Sequence, residues 1–235
     1  MPVALITGAS SGLGRALTSA LAREGWELVV DARDATRLIQ AVRDLGPAVQ
    51  ALPGDITDPD HRTALAHATK DGLDLLVNNA GGLGPSPLPG LGEFPLSALE
   101  ELYRVNVIAP LGLIQLVLPS LVARNGMIVN ITSDAASAVY PGWGGYGSSK
   151  AALEQIGAVL GAECTGGVRV YSFDPGDLRT PMHQAAFPGE DISGRPLPET
   201  VAPAFLRLIT QRPPNGRYRA SDLKDRKDLR TGADA

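Results

Sequence analysis

Short apolar runs alternate with longer amphipathic ones along this chain, and glycine- and proline-rich turns separate them. Residues 3–7 are apolar without polar alternation, as expected of a parallel strand buried on both faces. The same signal returns at 27–30, 49–52, 73–77, 127–132 and 168–173, with a weaker one at 216–219. Between them lie helical patterns: one through Leu17, Leu21 and Ala22 that stops at Gly25, then 35–45, 61–69 and 199–210. Residues 97–123 read as one long helix, with Ser97 as N-cap, Glu100 three positions on, and Pro110 expected to bend or interrupt it. A further helix opens at Tyr146 and Lys150. Its Ala151, Ala152, Leu153, Ile156, Val159 and Leu160 are too apolar to face water all round, so a partner subunit is expected to cover part of it.

The connections carry their own signals. Residues 82–92 are rich in glycine and proline and read as an irregular exposed loop. Residues 181–198 have no clear period and read as a mobile lid. The charged tail, 221–235, offers few apolar anchors and is expected to be disordered, leaving a single domain over residues 1–220.

Composition narrows the function. The chain has 235 residues, 44% apolar and 20% charged, enough for one domain with a large core. A formal net charge of −4 without a basic stripe gives no reason to expect a nucleic-acid partner. Cys164 is the single cysteine, so no intrachain disulfide can form. His61, His67 and His183 form no cluster; they read as surface residues, and no metal is expected. No apolar run of about 18 residues is evident, and the strand signal at residue 3 leaves no signal peptide, so a cytoplasmic enzyme without a membrane partner is expected.

Two stretches carry chemistry. The first strand runs directly into Gly8-Ala-Ser10-Ser11-Gly12-Leu13-Gly14 and then a helix, which is the setting of a dinucleotide loop. Glycine permits the tight turn and lets backbone approach a pyrophosphate, while the helix N-terminus faces its negative charge. The spacing is G-x-x-x-G-x-G. The second strand ends in Asp31-Ala32-Arg33-Asp34, where an adenosine ribose is read: a carboxylate favours a 2′-hydroxyl and a guanidinium a 2′-phosphate, and both are present.

The other stretch holds a hydroxyl, Ser133, at the C-terminal end of the fifth strand, a phenol, Tyr146, and a primary amine, Lys150, one helical turn beyond it. A phenol titrating near 10 is a poor acid or base at neutral pH. An ammonium nearby favours the phenolate; a downward shift of about 3 units needs roughly 4 kcal/mol. Such a trio suits proton transfer to or from an alcohol oxygen, with the hydride carried by something else. Asn106, a polar amide among Val105, Val107 and Ile108, is expensive in a helix face unless satisfied.

Taken in order, Thr7-Gly8-x3-Gly12-x-Gly14, Asp55-Ile56, Asn78-Asn79-Ala80-Gly81, Asn106, Ser133, Tyr146-x3-Lys150 and Pro175-Gly176-x3-Thr180 make the chain resemble the short-chain dehydrogenase/reductase family, in its single-domain branch. The resemblance spans roughly residues 3–220. It implies an α/β fold: a doubly wound (Rossmann), mostly parallel seven-stranded sheet with helices on both faces, binding a nicotinamide dinucleotide at its C-terminal edge. It implies Tyr146 as general acid/base, Lys150 on the nicotinamide ribose, Ser133 orienting the substrate oxygen and Asn106 holding a water in a proton relay toward Lys150. Gly8, Ser10, Ser11, Gly12, Leu13 and Gly14 would surround the pyrophosphate. Asp55 and Ile56 would meet the adenine, and Asn79, Ala80 and Gly81 the adenosine-side ribose. Pro175 and Gly176 would lie on the cofactor, with Thr180 on its carboxamide. Ala32 fills the position where relatives preferring NAD carry an acid, and Arg33 aligns with the arginine of those preferring NADP, with Arg15 able to assist. NADP(H) is therefore favoured and NAD(H) remains the alternative, should Asp31 read the ribose. The expected activity is interconversion of a small or flat, moderately apolar carbonyl compound and its alcohol, with Tyr140 and Trp143 as pocket walls. The expected assembly is a homodimer or homotetramer. A catalytically silent cofactor sensor or interaction module is the other reading, against which the intact Asn106–Ser133–Tyr146–Lys150 set speaks.

Overall fold

A computed structural model gives the fold and describes residues 1–164 and 167–223. Its strands are β1 (Val3–Ile6), β2 (Glu27–Ala32), β3 (Val49–Pro53), β4 (Leu75–Asn78), β5 (Met127–Ile131), β6 (Arg169–Asp174) and β7 (Gly216–Arg219). They form one sheet in the order β3-β2-β1-β4-β5-β6-β7, and every pairing is parallel. Parallel neighbours need crossovers, supplied by α1 (Gly12–Arg23), α2 (Ala35–Val42), α3 (Pro59–Ala68), α4 (Leu96–Tyr103), α5 (Ala109–Ala123), α6 (Gly144–Glu163), α7 (Pro181–Ala186) and α8 (Ala202–Gln211).

The unbroken apolar character of the strands follows from burial on both faces. Ala4 and Ile6 belong to one core with Leu17, Leu21, Phe173 and Phe205, whereas Leu5 belongs to the other with Leu65, Leu113, Val117 and Leu121. The pairs Val30/Val29, Val77/Leu76 and Val129/Ile128 divide the same way, as a side-chain period of two requires. A third, smaller cluster joins Leu83, Phe94, Leu102, Ala135, Tyr146 and Ala186 beyond the C-terminal edge of the sheet.

Side-chain caps set three of the eight α-helix starts among the described residues. Asp34 caps α2 by accepting from the Arg37 amide, Asp58 caps α3 ahead of Pro59, and Thr180 caps α7 by accepting from the His183 amide. Helix α1, like α4, α5, α6 and α8, lacks one, although Ser11 stands at its N-cap. Its first amides remain available to a ligand.

Several expectations need correction. The long helix at 97–123 begins at Leu96 and is divided into α4, a π-helical turn at Arg104–Ile108, and α5. Pro110 sits in the first turn of α5, where a missing amide costs little, and the wide turn before it turns Asn106 inward. Leu96–Ala123 is also apolar enough, by length and composition alone, to cross a membrane, contrary to the expectation of no such run. In this fold its inward residues Leu113, Val117 and Leu121 are core. The lid contains a short helix, α7, and the fold continues past residue 220 through a 3₁₀ turn at Ala220–Leu223, with Leu223 against the core. The rest of the expected disordered tail, 224–235, lies outside the described residues.

Phe205 is fully buried and meets Phe173 edge-on at 5.6 Å between centroids. Phe205→Ala is expected to cost about 3–5 kcal/mol of unfolding free energy by cavity formation, measured by denaturant titration. A loss below about 1 kcal/mol would mean that α8 is not part of the cooperative core.

Candidate active site

The crevice opens where the sheet order reverses, between β1 and β4, the position at which ligands bind in doubly wound sheets. Its floor is stitched from side chain to backbone. Thr7 Oγ1 accepts from the amides of Asn79 and Ala80, both at 3.0 Å. Asn79 Nδ2 donates to the carbonyls of Thr7 (2.8 Å) and Gly8 (3.1 Å). Gly8 holds φ +71°, and a Cβ on Gly14 would lie 2.3 Å from the Gly8 carbonyl oxygen and 2.4 Å from Asn79 Nδ2. Both glycines are required by close approach.

Asp31, 1% exposed, is committed to the same loop. Its Oδ1 accepts from the Gly8 amide at 2.9 Å, and its Oδ2 pairs with His61 Nε2 at 3.2 Å. Burial pushes the Asp31 carboxyl up, opposed by His61 and the Gly8 amide. One expectation changes accordingly: His61 is an inward-facing partner with a side chain only 9% exposed, while both oxygens of Asp31, which lines the cleft, are engaged.

One cleft of about 890 Å³ runs from this loop to the far end of the sheet. Lining it are Gly8, Ser10, Ser11, Gly12, Leu13, Arg33, Asp55, Ile56, Asn79, Ala80 and Gly81 at one end, and Ser133, Tyr146, Lys150, Pro175, Gly176 and Thr180 at the other. Gly14, Asn106 and Arg15 do not line it. Gly14 packs beneath the loop. Burial works against the ionised Asp55, but two bonds from Thr57, both 2.8 Å, and the nearby Arg33 charge together hold its carboxyl low. Arg33 is exposed on the wall, and among the described residues no carboxylate lies within ion-pair distance of it. Arg37, tied to Asp34 at 3.3 Å, shares that wall and was not singled out in the sequence. An uncapped helix start, two glycines that no Cβ could replace and a guanidinium on the rim suit a phosphorylated dinucleotide.

At the far end, Tyr146 and Lys150 lie on one face of α6, both almost fully buried. Lys150 Nζ donates to the Ile131 carbonyl at 2.9 Å and stands 5.6 Å from the centre of the Tyr146 ring. Burial lowers Lys150 to about 8, with Glu154 pulling upward. Burial raises Tyr146 above its ordinary value, reinforced by Asp174 and Asp134 and opposed by the Ser133 hydroxyl. The expected depression of the phenol by Lys150 is therefore not produced within the chain: burial and the two carboxylates raise it, and the ammonium donates to a carbonyl.

Asn106 spends its amide on structure. Nδ2 donates to the Gly82 carbonyl and to Ser149 Oγ, both at 2.9 Å, and Oδ1 accepts from the Gly82 amide at 2.8 Å. A Cβ built on Gly81 would lie 3.2 Å from Asn106 Oδ1 and 3.6 Å from Lys150 Nζ, so both groups border that glycine. Trp143 meets Tyr146 edge-on at 5.8 Å and Phe187 at 5.9 Å; with Tyr140 and Met182 they wall the mouth of the cleft. Asp134, Asp174 and His183 also line it and were missed, for they match no motif.

The family profile for short chain dehydrogenases matches residues 2–191. Serine 3-dehydrogenase of Agrobacterium fabrum is 38% identical over 181 residues, covering 75% of this chain and 72% of that protein. A Shigella flexneri protein assigned to the short chain dehydrogenases and solved with NADP superposes with a TM-score of 0.87 at 29% identity, over 94% of this chain and 97% of that one. The alcohol dehydrogenase of Thermococcus sibiricus, solved with 5-hydroxy-NADP, gives 0.80 at 26% identity, over 93% and 95%. With a profile match across most of its length, and with this fold and cleft, the chain belongs to the short-chain dehydrogenase/reductase family of oxidoreductases.

Proposed function

We propose that the protein interconverts a small carbonyl compound and its alcohol with NADP(H), Tyr146 acting as general acid in reduction and general base in oxidation. The observation that carries this reading is a phenol, an amine and a hydroxyl (Tyr146, Lys150 and Ser133) sharing one cleft with a dinucleotide-type loop. The nicotinamide cofactor, when bound, gives or takes the hydride. Every other contribution comes from the chain. The uncapped start of α1 and the Gly8 loop hold the pyrophosphate, and Arg33 meets a 2′-phosphate as a charge-assisted donor. Tyr146 delivers a proton to the substrate oxygen, while Trp143, Phe187 and Met182 exclude water around it. Asn106 fixes the turn at Gly82 that borders Lys150. The engagement of both Asp31 oxygens, by the Gly8 amide and by His61, supports NADP(H) over NAD(H), with the exposed Arg33 on the same wall.

The apolar mouth favours a flat, uncharged substrate. Exposed Ile108, Leu116 and Val122 around α5 and Val159 on α6 support a homo-oligomer built across these helices.

Titration by nicotinamide fluorescence is expected to give much tighter binding of NADPH than of NADH. Arg33→Ala should weaken NADPH by about tenfold or more, the worth of a charged hydrogen bond, while leaving NADH nearly unchanged. Wild-type preference for NADH would overturn the cofactor assignment. Tyr146→Phe should abolish turnover on a panel of small ketones, lowering kcat by at least about a hundredfold, with NADPH affinity kept. Tight NADPH binding by wild type without any turnover would favour a sensor. With the phenol raised by burial, oxidation, which needs the phenolate, should accelerate as pH rises. Reduction, which needs the phenol, should persist well into the alkaline range.

A further inference from the structure

Arg217 lies on the edge strand β7, matches no motif, and has a side chain only 25% exposed. Its Nε donates to Glu154 Oε1 on α6, and its Nη2 donates both to Asp174 Oδ2 at the end of β6 and to the Ser133 carbonyl after β5. One side chain thus ties together the strand end that bears Ser133, the strand end that bears Asp174 and the helix that bears Tyr146 and Lys150. The planar fork suits this task, because its donors diverge toward separate acceptors, whereas an ammonium offers a single point of charge.

Two of those ties reach the phenol. The Ser133 hydroxyl is a hydrogen-bond partner of Tyr146 and favours its ionised form, so the turn whose carbonyl Arg217 holds is the turn that serves the reacting oxygen. The Asp174 carboxylate acts in the opposite sense, as a like charge does, and outweighs Asp134. Arg217 stands against Asp174 at 2.8 Å, and the more exposed Arg219 follows at 3.8 Å. We propose that Arg217 is a positioning residue for the reaction: its fork fixes the Ser133 turn against Tyr146, and its charge restrains the field that Asp174 exerts on the phenol. This rests on the oxidoreductase reading above and adds to it a residue that does not itself line the cleft.

The other charged and titratable groups around Tyr146 come from four elements. They are Asp134 and Tyr140 in the turn after β5, Lys150 and Glu154 on α6, Asp177 after β6, and His183 on α7. Asp177 pairs with Arg195 at 3.1 Å, and Lys150 donates to the Ile131 carbonyl. Asp174 Oδ1 also accepts from the Gly176 amide at 3.0 Å, a tie independent of Arg217.

The readout is the pH at which Tyr146 ionises in the NADP⁺-bound enzyme, taken from tyrosinate absorbance with the Tyr146→Phe titration subtracted; it needs no substrate. Arg217→Gln, which removes the charge and the fork, should move that ionisation up by about one pH unit. Arg217→Lys, which keeps the charge, should hold it within about half a unit of wild type. The same Lys variant should lower kcat for oxidation of ethyl 3-hydroxybutyrate by about tenfold, with NADP⁺ affinity kept. Adding Asp174→Asn to Arg217→Gln should abolish the upward shift, so that the pair ionises where Asp174→Asn alone does. That pair leaves no carboxylate stranded at the end of β6, and it keeps the proposal testable if Arg217→Gln does not fold. Arg43→Gln, at the exposed end of α2, should change nothing. An unmoved ionisation in Arg217→Gln, an equal rise in Arg217→Lys, or a rise in the pair over Asp174→Asn alone would overturn the proposal. Wild-type turnover of small ketones and its loss in Tyr146→Phe test the oxidoreductase reading separately, so either can fail without the other.

Discussion

Everything in this molecule depends on the seam where β1 and β4 run side by side and then diverge. On one flank the chain winds outward through β2 to β3, and on the other through β5 and β6 to β7. The loops leaving β1 and β4 turn away from each other, and the crevice between them is a consequence of winding direction, not of any single residue. What residues must do is keep the crevice from collapsing or spreading. Thr7 and Asn79 do this by bonding across it in both directions, hydroxyl to amides and amide to carbonyls. Asp31 adds a third tie by gripping the Gly8 amide from β2 while His61 holds the carboxylate from α3. A buried carboxylate is costly unless hydrogen-bonded and paired, and here it is both.

The opposite end of the cleft is governed by a second polar assembly centred on Arg217. Its Nε reaches Glu154 on α6, and its Nη2 reaches Asp174 at 2.8 Å and the Ser133 carbonyl at 3.2 Å. Glu154 also accepts from Thr132 Oγ1 at 2.6 Å. The edge strand β7 thus fixes the ends of β5 and β6 and the turn that carries Ser133. An edge strand whose only task was to close the sheet would not need a guanidinium facing inward. Removing Arg217 would take from Glu154 and the nearly buried Asp174 the guanidinium they share, so the assembly depends on that one side chain.

How much of this could be read from the sequence follows from how local each cause is. The strands, the glycine loop and the Tyr146–Lys150 spacing depend on sterics and periodicity within a few residues, and they stand where the pattern put them. Short motifs and glycine spacing carry no information about who partners a buried charge. Asp31 and His61 are thirty positions apart and Glu154 and Arg217 sixty-three, so neither pair is legible from local pattern, and by sequence alone His61 reads as a surface residue. The division of the long helix has the same origin. Pro110 was visible, but the π turn answers to the bonds between Asn106 and Gly82, twenty-four positions earlier. Helix α7, at six residues, is too short to show a period at all.

The proton balance of the site is the last consequence of burial. Desolvation raises Tyr146 and lowers Lys150, so it favours the uncharged form of each. The chain by itself therefore holds the phenol protonated and the amine close to giving up its charge near neutral pH. A positive charge brought into the cleft would pull both values down, stabilising a phenolate and discouraging the ammonium. The carboxylates of Asp134 and Asp174 oppose that pull on the phenol, and Glu154 opposes it on the amine. Asp174 acts on the phenol more strongly than Asp134 even though Arg217 pairs with it, so the guanidinium tempers the field of this end of the cleft without cancelling it.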